Sequence, residues 1–133
     1  MRAFSELGMN APTSKADQME NRLISFAAAI ISLSSKLPRT VQGRHVCTQI
    51  LRSGTASAAN YGEARGAESR ADFIHKLRIV LKELNETRSW LEQIVANGLF
   101  SRDKMAAIIA ENQELCWIVA ASIKTARRPA GPI

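Results

Sequence analysis

Between Arg52 and Val95 the chain reads RSGTASAANYGEARGAESRADFIHKLRIVLKELNETRSWLEQIV, and two helical surfaces meet there across one short break. Gly54, Ala58 and Gly62 recur every fourth residue. On a helix they form a strip nearly bare of side chain, against which another backbone can lie closely. Beyond the break, Phe73, Leu77, Val80, Leu84, Leu91 and Ile94 alternate steps of four and three, with Thr87 in register. That spacing is a seam for helix packing. Gly54 and Gly62 each cost a helix up to about 1 kcal/mol relative to alanine. Close packing of a neighbouring rod is the simplest compensation, and the pattern predicts a bundle of amphipathic helices.

Length sets how many rods are available. At 133 residues and 14.6 kDa the chain is one domain by size and long enough to bury a core without disulfides or a structural metal. Aromatics are only 5% of residues, and strands would enrich aromatic and β-branched side chains, so an all-α fold is expected.

Taken in order, residues 1–12 hold Gly8, Asn10 and Pro12 with no sustained period and read as a flexible arm. Ser14 followed by Asp17 makes a capping-box start for a first helix over about 14–36. Its stripe is Leu23, Phe26, Ile30, Leu33 and Leu37. Between Leu23 and Ile31 only Ser25 is polar, so that stretch needs burial on more than one side, within the domain or against another subunit. Leu37-Pro38 ends it, since the residue before a proline is pushed out of the α region. Thr40 caps a second helix over about 40–65, with Cys47, Ile50, Leu51, Gly54, Ala58 and Tyr61 as its inner face. Ser69 with Asp72 opens a third over 69–96, stopped by Asn97-Gly98. Ser101 with Asp103 opens a fourth over 101–127, striped by Met105, Ile108, Ile109, Leu115, Cys116, Val119 and Ile123, and residues 129–133 fray. Rods of about 33–42 Å joined by short loops predict an antiparallel up-down-up-down four-helix bundle.

Catalytic chemistry finds little to build on. His45 and His75 have no serine or cysteine nucleophile motif beside them, and a single Asp72-x-x-His75 falls short of the two Glu-x-x-His motifs and two further glutamates that a di-iron bundle requires. Gly62 and Gly66 follow no strand and lack the lysine and hydroxyl of a phosphate loop. No catalytic residue, metal ligand or cofactor is therefore assigned. Cys47 and Cys116 read as buried free thiols in a reducing compartment, which with the shortness of the apolar run Leu23 to Leu33 predicts a cytoplasmic chain off the membrane.

Charge is the remaining lead. Lysine plus arginine outnumber the acids 18 to 12, for a net charge of +6 and a pI near 9.9. Most of the cations are arginine, whose planar fork suits phosphate or an acidic protein surface; a solvated helical surface is the plainer alternative. Arg44 and Arg52 project from one broad side of the second helix beside its apolar stripe, and with Arg65 they are the candidate nucleic-acid contacts. Phe26, Ile30, Gly54, Ala58 and Trp90 are the candidate oligomer interface. Trp90 and Trp117 fall at helical spacing among leucines and isoleucines, so core or subunit interface is expected for both, and either would be free to stack on a base if exposed.

The run Gln49-Ile-Leu-Arg-Ser-Gly-Thr-Ala, then Ala58-Ala-Asn-Tyr-Gly-Glu-Ala, then Ser69-x-x-Asp72-Phe-Ile-x-Lys76-Leu, with Leu81-Lys-Glu, Glu86-Thr and Trp90-Leu downstream, resembles the four-helix-bundle proteins associated with intervening sequences in bacterial 23S ribosomal RNA genes. The chain departs from that pattern at Ala56-Ser57, where relatives carry serine followed by a branched apolar residue. The resemblance implies a ring-like homopentamer of antiparallel four-helix bundles without catalysis. It also implies kinship with the accessory variability determinant of diversity-generating retroelements, whose basic surface binds nucleic acid and a reverse transcriptase. Arg52 is the one candidate that the motif itself carries over, with an interface salt bridge as its alternative role. RNA or DNA binding by a homo-oligomer is the function expected, and service as a scaffold or accessory subunit for a reverse transcriptase is the alternative.

Overall fold

A computed structural model of the chain describes residues 13–129. The arm expected over 1–12 and the last four residues of the tail lie outside the described residues. Four helices follow one another: α1 (Lys15–Ser34), α2 (Val41–Arg65), α3 (Arg70–Ala96) and α4 (Arg102–Arg127). Each opens on a hydroxyl that accepts a hydrogen bond from a backbone N–H three residues on: Ser14 from Asp17, Thr40 from Gly43, Ser69 from Asp72 and Ser101 from Lys104. At Ser14 the Asp17 carboxylate reciprocates by accepting from the Ser14 N–H, which completes the box. At the far end of α3, Gly98 adopts φ +75°, and the N–H groups of Gly98 and Leu99 donate to Val95 and Ile94, closing the helix in a left-handed turn that suits glycine.

Packing runs in chain order. α2 lies between α1 and α3, α3 also packs on α4, and α1 meets α4 along a lighter seam that closes an antiparallel up-down bundle. Along that seam two shallow cavities of about 250 and 260 Å³ remain, lined by Ala29, Ala107 and Ile108 among others. The core is one cluster drawn from all four helices, with Leu23, Ile30, Ile50, Leu77, Leu84, Leu91 and Leu115 wholly out of water. α4 is long and apolar enough by length and composition to cross a bilayer. Here it is a bundle helix: its Asn112 is fully buried and donates from Nδ2 to the Leu84 carbonyl oxygen of α3.

The bare strip of α2 does what its spacing predicts. A Cβ at Gly54 would stand 2.6 Å from Cγ2 and 2.9 Å from Cγ1 of Ile30, so α1 rests directly on the α2 backbone there. A Cβ at Gly62 would stand 3.4 Å from Glu20 Oε2, an ordinary contact with α1, and Ala58 packs against the core between them. Gly43, not singled out by the sequence, is held more tightly still, since any Cβ would run into the Pro38 carbonyl of the α1–α2 loop.

One part of the expected inner face is corrected. Cys47, Leu51 and Ala58 are only half-buried, whereas Ser53 and Ser57 are completely buried. Because α2 is sandwiched, its buried arc is wider than a single stripe: glycine faces α1 and serine faces α3. Ser53 survives burial by sharing a 2.9 Å hydrogen bond with Thr87 of α3, whose hydroxyl also lies 2.8 Å from the Glu83 carbonyl oxygen.

Candidate nucleic-acid interface

Every neighbouring pair of helices is clasped by a cation from one and carboxylates from the other. Arg22 of α1 holds Glu111 of α4 in a two-pronged contact, Nε at 3.1 Å and Nη2 at 2.6 Å, with Glu114 at 3.9 Å. Arg65 of α2 reaches back to Asp17 and Glu20 of α1 at 2.9 and 2.7 Å. Arg52 of α2 is held by Glu83, at 3.4 Å, and by Glu86 of α3. Lys76 of α3 pairs with Glu63 of α2, and Arg102 pairs with Glu92 across the α3–α4 loop. These hydrogen bonds hold the Arg52, Arg65 and Arg102 guanidinium groups firmly protonated and keep the Asp17 and Glu92 carboxyls below their ordinary range.

This geometry separates the three candidate arginines. Arg52 and Arg65 are bridgeheads between helices, each already shared by two carboxylates. Arg44 is exposed, belongs to no ion pair among the described residues, and lines a cavity of about 560 Å³ under the α1–α2 loop together with Arg39, Ser35 and Thr48. Spacing could place all three on the surface, but which carboxylates would face them depends on the neighbouring helices.

The candidate oligomer interface is likewise divided. Phe26 and Ile30 are core residues, 2% and 0% exposed, and Gly54 is buried under Ile30, so these three pack within the chain and are withdrawn as contacts to another subunit. The physical reason is that α1 and α2 supply each other's partner. Ala58 is half-buried on the same side. Trp90 is half-buried at the α2–α3 seam, its indole N–H donating to Glu86 at 3.4 Å and its ring meeting His45 edge to face at 5.7 Å. The large apolar side chains of α1 that do reach water are Ile24 and Ile31, 53% and 51% exposed.

The cations left over surround the bundle. Lys36, Arg39 and Arg44 gather where α1 turns into α2. Arg70, Lys124, Arg127 and Arg128 gather at the opposite end, where Arg70 Nη1 donates to the Arg128 carbonyl oxygen at 3.4 Å. Arg78, Lys82 and Arg88 stand exposed along α3. Of the described acids, Glu68, Asp72 and Asp103 belong to no ion pair, and all three sit at or near helix starts.

The two thiols are free. Cys116 is buried beside Asn85, its Sγ 3.6 Å from Oδ1, and burial pushes its ionisation up against the opposing field of Arg88. A thiol held protonated in this way is a packing group and a poor nucleophile.

A known fold and family match this arrangement. The chain is similar to a crystal structure, described as a protein of unknown function from the S23 ribosomal protein family of Bacteroides thetaiotaomicron, with 38% identity and a TM-score of 0.76. The match covers 80% of this chain and 98% of that one. No curated protein matches it. The family model described as 23S rRNA-intervening sequence protein matches residues 17–121, from the first turn of α1 to the last turns of α4, and the chain belongs to that family.

Proposed function

We propose that the chain is a non-enzymatic, cytoplasmic, homo-oligomeric bundle that binds RNA or DNA through its basic surface. One observation carries this reading. Five cations hold eight carboxylates between helices, which leaves twelve described cations facing water against only Glu68, Asp72 and Asp103. The clasps tie up eight carboxylates and keep only three unbalanced negative charges among them, so away from the clasps the surface is dominated by the twelve unpaired cations. A surface of that kind attracts a polyanion and releases its counterions on contact.

Self-association is supported by the half-exposed Ile24 and Ile31 on α1 and by the light α1–α4 seam, both of which leave apolar area in water. Five subunits is the count that the resemblance implies. The test is affinity for a structured RNA at about 50 and 200 mM salt, with sedimentation on the same sample. Binding that weakens steeply with salt, by a particle larger than one chain, is the expected result. Binding that ignores salt, or a stable monomer, would refute the corresponding half of the proposal.

A further inference from the structure

Among the described residues one large aromatic side chain stands mostly in water, on a turn of α4 level with the middle of α3. Trp117 is 64% exposed, so of the two places expected for it, core or subunit interface, it does not occupy the core. A large ring left in water by a fold that buries Leu115 and Val119 on the same helix asks what covers it.

Its surroundings are fixed by its neighbour in the chain. Cys116 Sγ lies 3.6 Å from Asn85 Oδ1, and Arg88 is close enough to act on the Cys116 thiol, so this turn of α4 is level with the middle of α3. At 100° per residue Arg78, Lys82, Asn85 and Ser89 fall within an arc of about 60° on α3, and Gln113, Trp117 and Lys124 within about 40° on α4. The four α3 side chains, Trp117 and Lys124 are exposed. Glu92, one turn on from Arg88 and within reach of its field, is taken by Arg102. The outward sides of α3 and α4 thus carry an indole level with a row of cations, Arg88 standing about 60° to one side of that row, and none of the three unengaged acids falls within the two arcs.

Resting on the nucleic-acid reading above, we propose that this face binds single-stranded nucleic acid, a base stacking on Trp117 while Arg78, Lys82, Arg88 and Lys124 take the phosphates. Aromatic platforms flanked by positive charge suit single strands, because every free base has a stacking face, whereas a duplex hides its bases and offers phosphates alone. A second copy of the chain is a poorer occupant. A two-fold contact centred on Trp117 would bring the same cations against one another, and a head-to-tail contact in a ring is the outcome that sedimentation of the Trp117 variants detects.

The experiment compares Trp117→Ala, Trp117→Phe and Lys82→Glu/Arg88→Glu with the unaltered protein. Each is titrated against labelled oligouridylate, oligothymidylate and a duplex of equal length, with sedimentation in parallel. All the altered residues are exposed, so the melting temperature of each variant serves as the folding control. Single strands should bind more tightly than duplex. Trp117→Ala should weaken them roughly five- to hundredfold while leaving duplex affinity unchanged, Trp117→Phe should restore most of the loss, and the double charge reversal should weaken every ligand. The two single-stranded arms tell RNA from DNA. Single-strand affinity unchanged by Trp117→Ala overturns the stacking site and leaves the basic-surface reading standing. Altered sedimentation without altered affinity assigns the indole to self-association and also overturns it. Failure of the unaltered protein to bind any of the three refutes both readings together.

Discussion

Ile30 of α1 lies across the backbone of Gly54 in α2, so near that a Cβ there would fall 2.6 Å from Cγ2. Those isoleucine methyl and methylene groups are anchored at a branched Cβ and cannot swing aside. Alanine at 54 gains up to about 1 kcal/mol of helix propensity, but overpacking costs about 1–3 kcal/mol. Gly54→Ala is therefore expected to lower stability by about 1 kcal/mol. In an Ile30→Ala background the same change should turn neutral or favourable, as a double-mutant cycle by denaturant unfolding will register. Additive effects would mean that the two helices do not meet there.

The Ser53–Thr87 contact makes a sharper prediction about buried polarity. The Glu83 carbonyl can only accept, so Thr87 donates to it at 2.8 Å and Ser53 completes the chain at 2.9 Å. Thr87→Val removes the acceptor that Ser53 uses and should cost about 1–2 kcal/mol, whereas Ser53→Ala/Thr87→Val together should cost less than the sum of the singles.

Ser57, four residues along α2 from Ser53, is fully buried and its hydroxyl finds no partner among the described residues. A desolvated hydroxyl without a hydrogen bond is a net cost, and serine is also a weaker helix former than alanine. Ser57→Ala should stabilise by about 0.5–1.5 kcal/mol and raise the melting temperature by several degrees. A fall in melting temperature would show that the hydroxyl has found a partner.

Acid should loosen the α1–α2 clasp. The Arg65 hydrogen bond, with help from Ser14, holds the Asp17 carboxyl below its ordinary 3.8, and Arg102 holds Glu92 below 4.5. A carboxylate whose folded value is depressed contributes stability that is present above its unfolded value and lost as pH falls through the folded one. The protein should thus lose melting temperature progressively as pH drops from about 4.5 downward. Asp17→Asn should sit below the unaltered protein at pH 7, and the gap should narrow as pH falls below 3.8 through the lowered Asp17 value; a gap that stays constant would contradict the assignment.

Arg44 and Arg52, alike in sequence, should behave differently on reversal. Arg44→Glu removes a cation that no carboxylate holds and should weaken RNA binding without moving the melting temperature. Arg52→Glu sets a third acid beside Glu83 and Glu86 and should lower the melting temperature. Equal thermal losses would show that Arg44 also has a structural partner.

The four capping hydroxyls, the α3 seam and the bare strip on α2 were all legible from spacing, because caps and periodicity are local and act along one helix at a time. The helix ends expected at 14–36, 40–65, 69–96 and 101–127 fall within about two residues of those observed. Less legible were the polar residues of the core. Ser53, Ser57 and Asn112 read as surface by type, and only the opposite helix reveals that Thr87 and the Leu84 carbonyl await two of them.

By itself the sequence determined that this chain makes four capped rods and that one of them must accept a neighbour at glycine distance, since those properties follow from backbone geometry. Only the tertiary structure decided the fate of each charge and each tryptophan. Arg52 and Arg65 were drawn into clasps, Arg44 was left free, Trp90 was tucked beside His45, and Trp117 was turned to water. An ion pair or a covering side chain comes from another helix, and no period within one helix encodes what stands across from it.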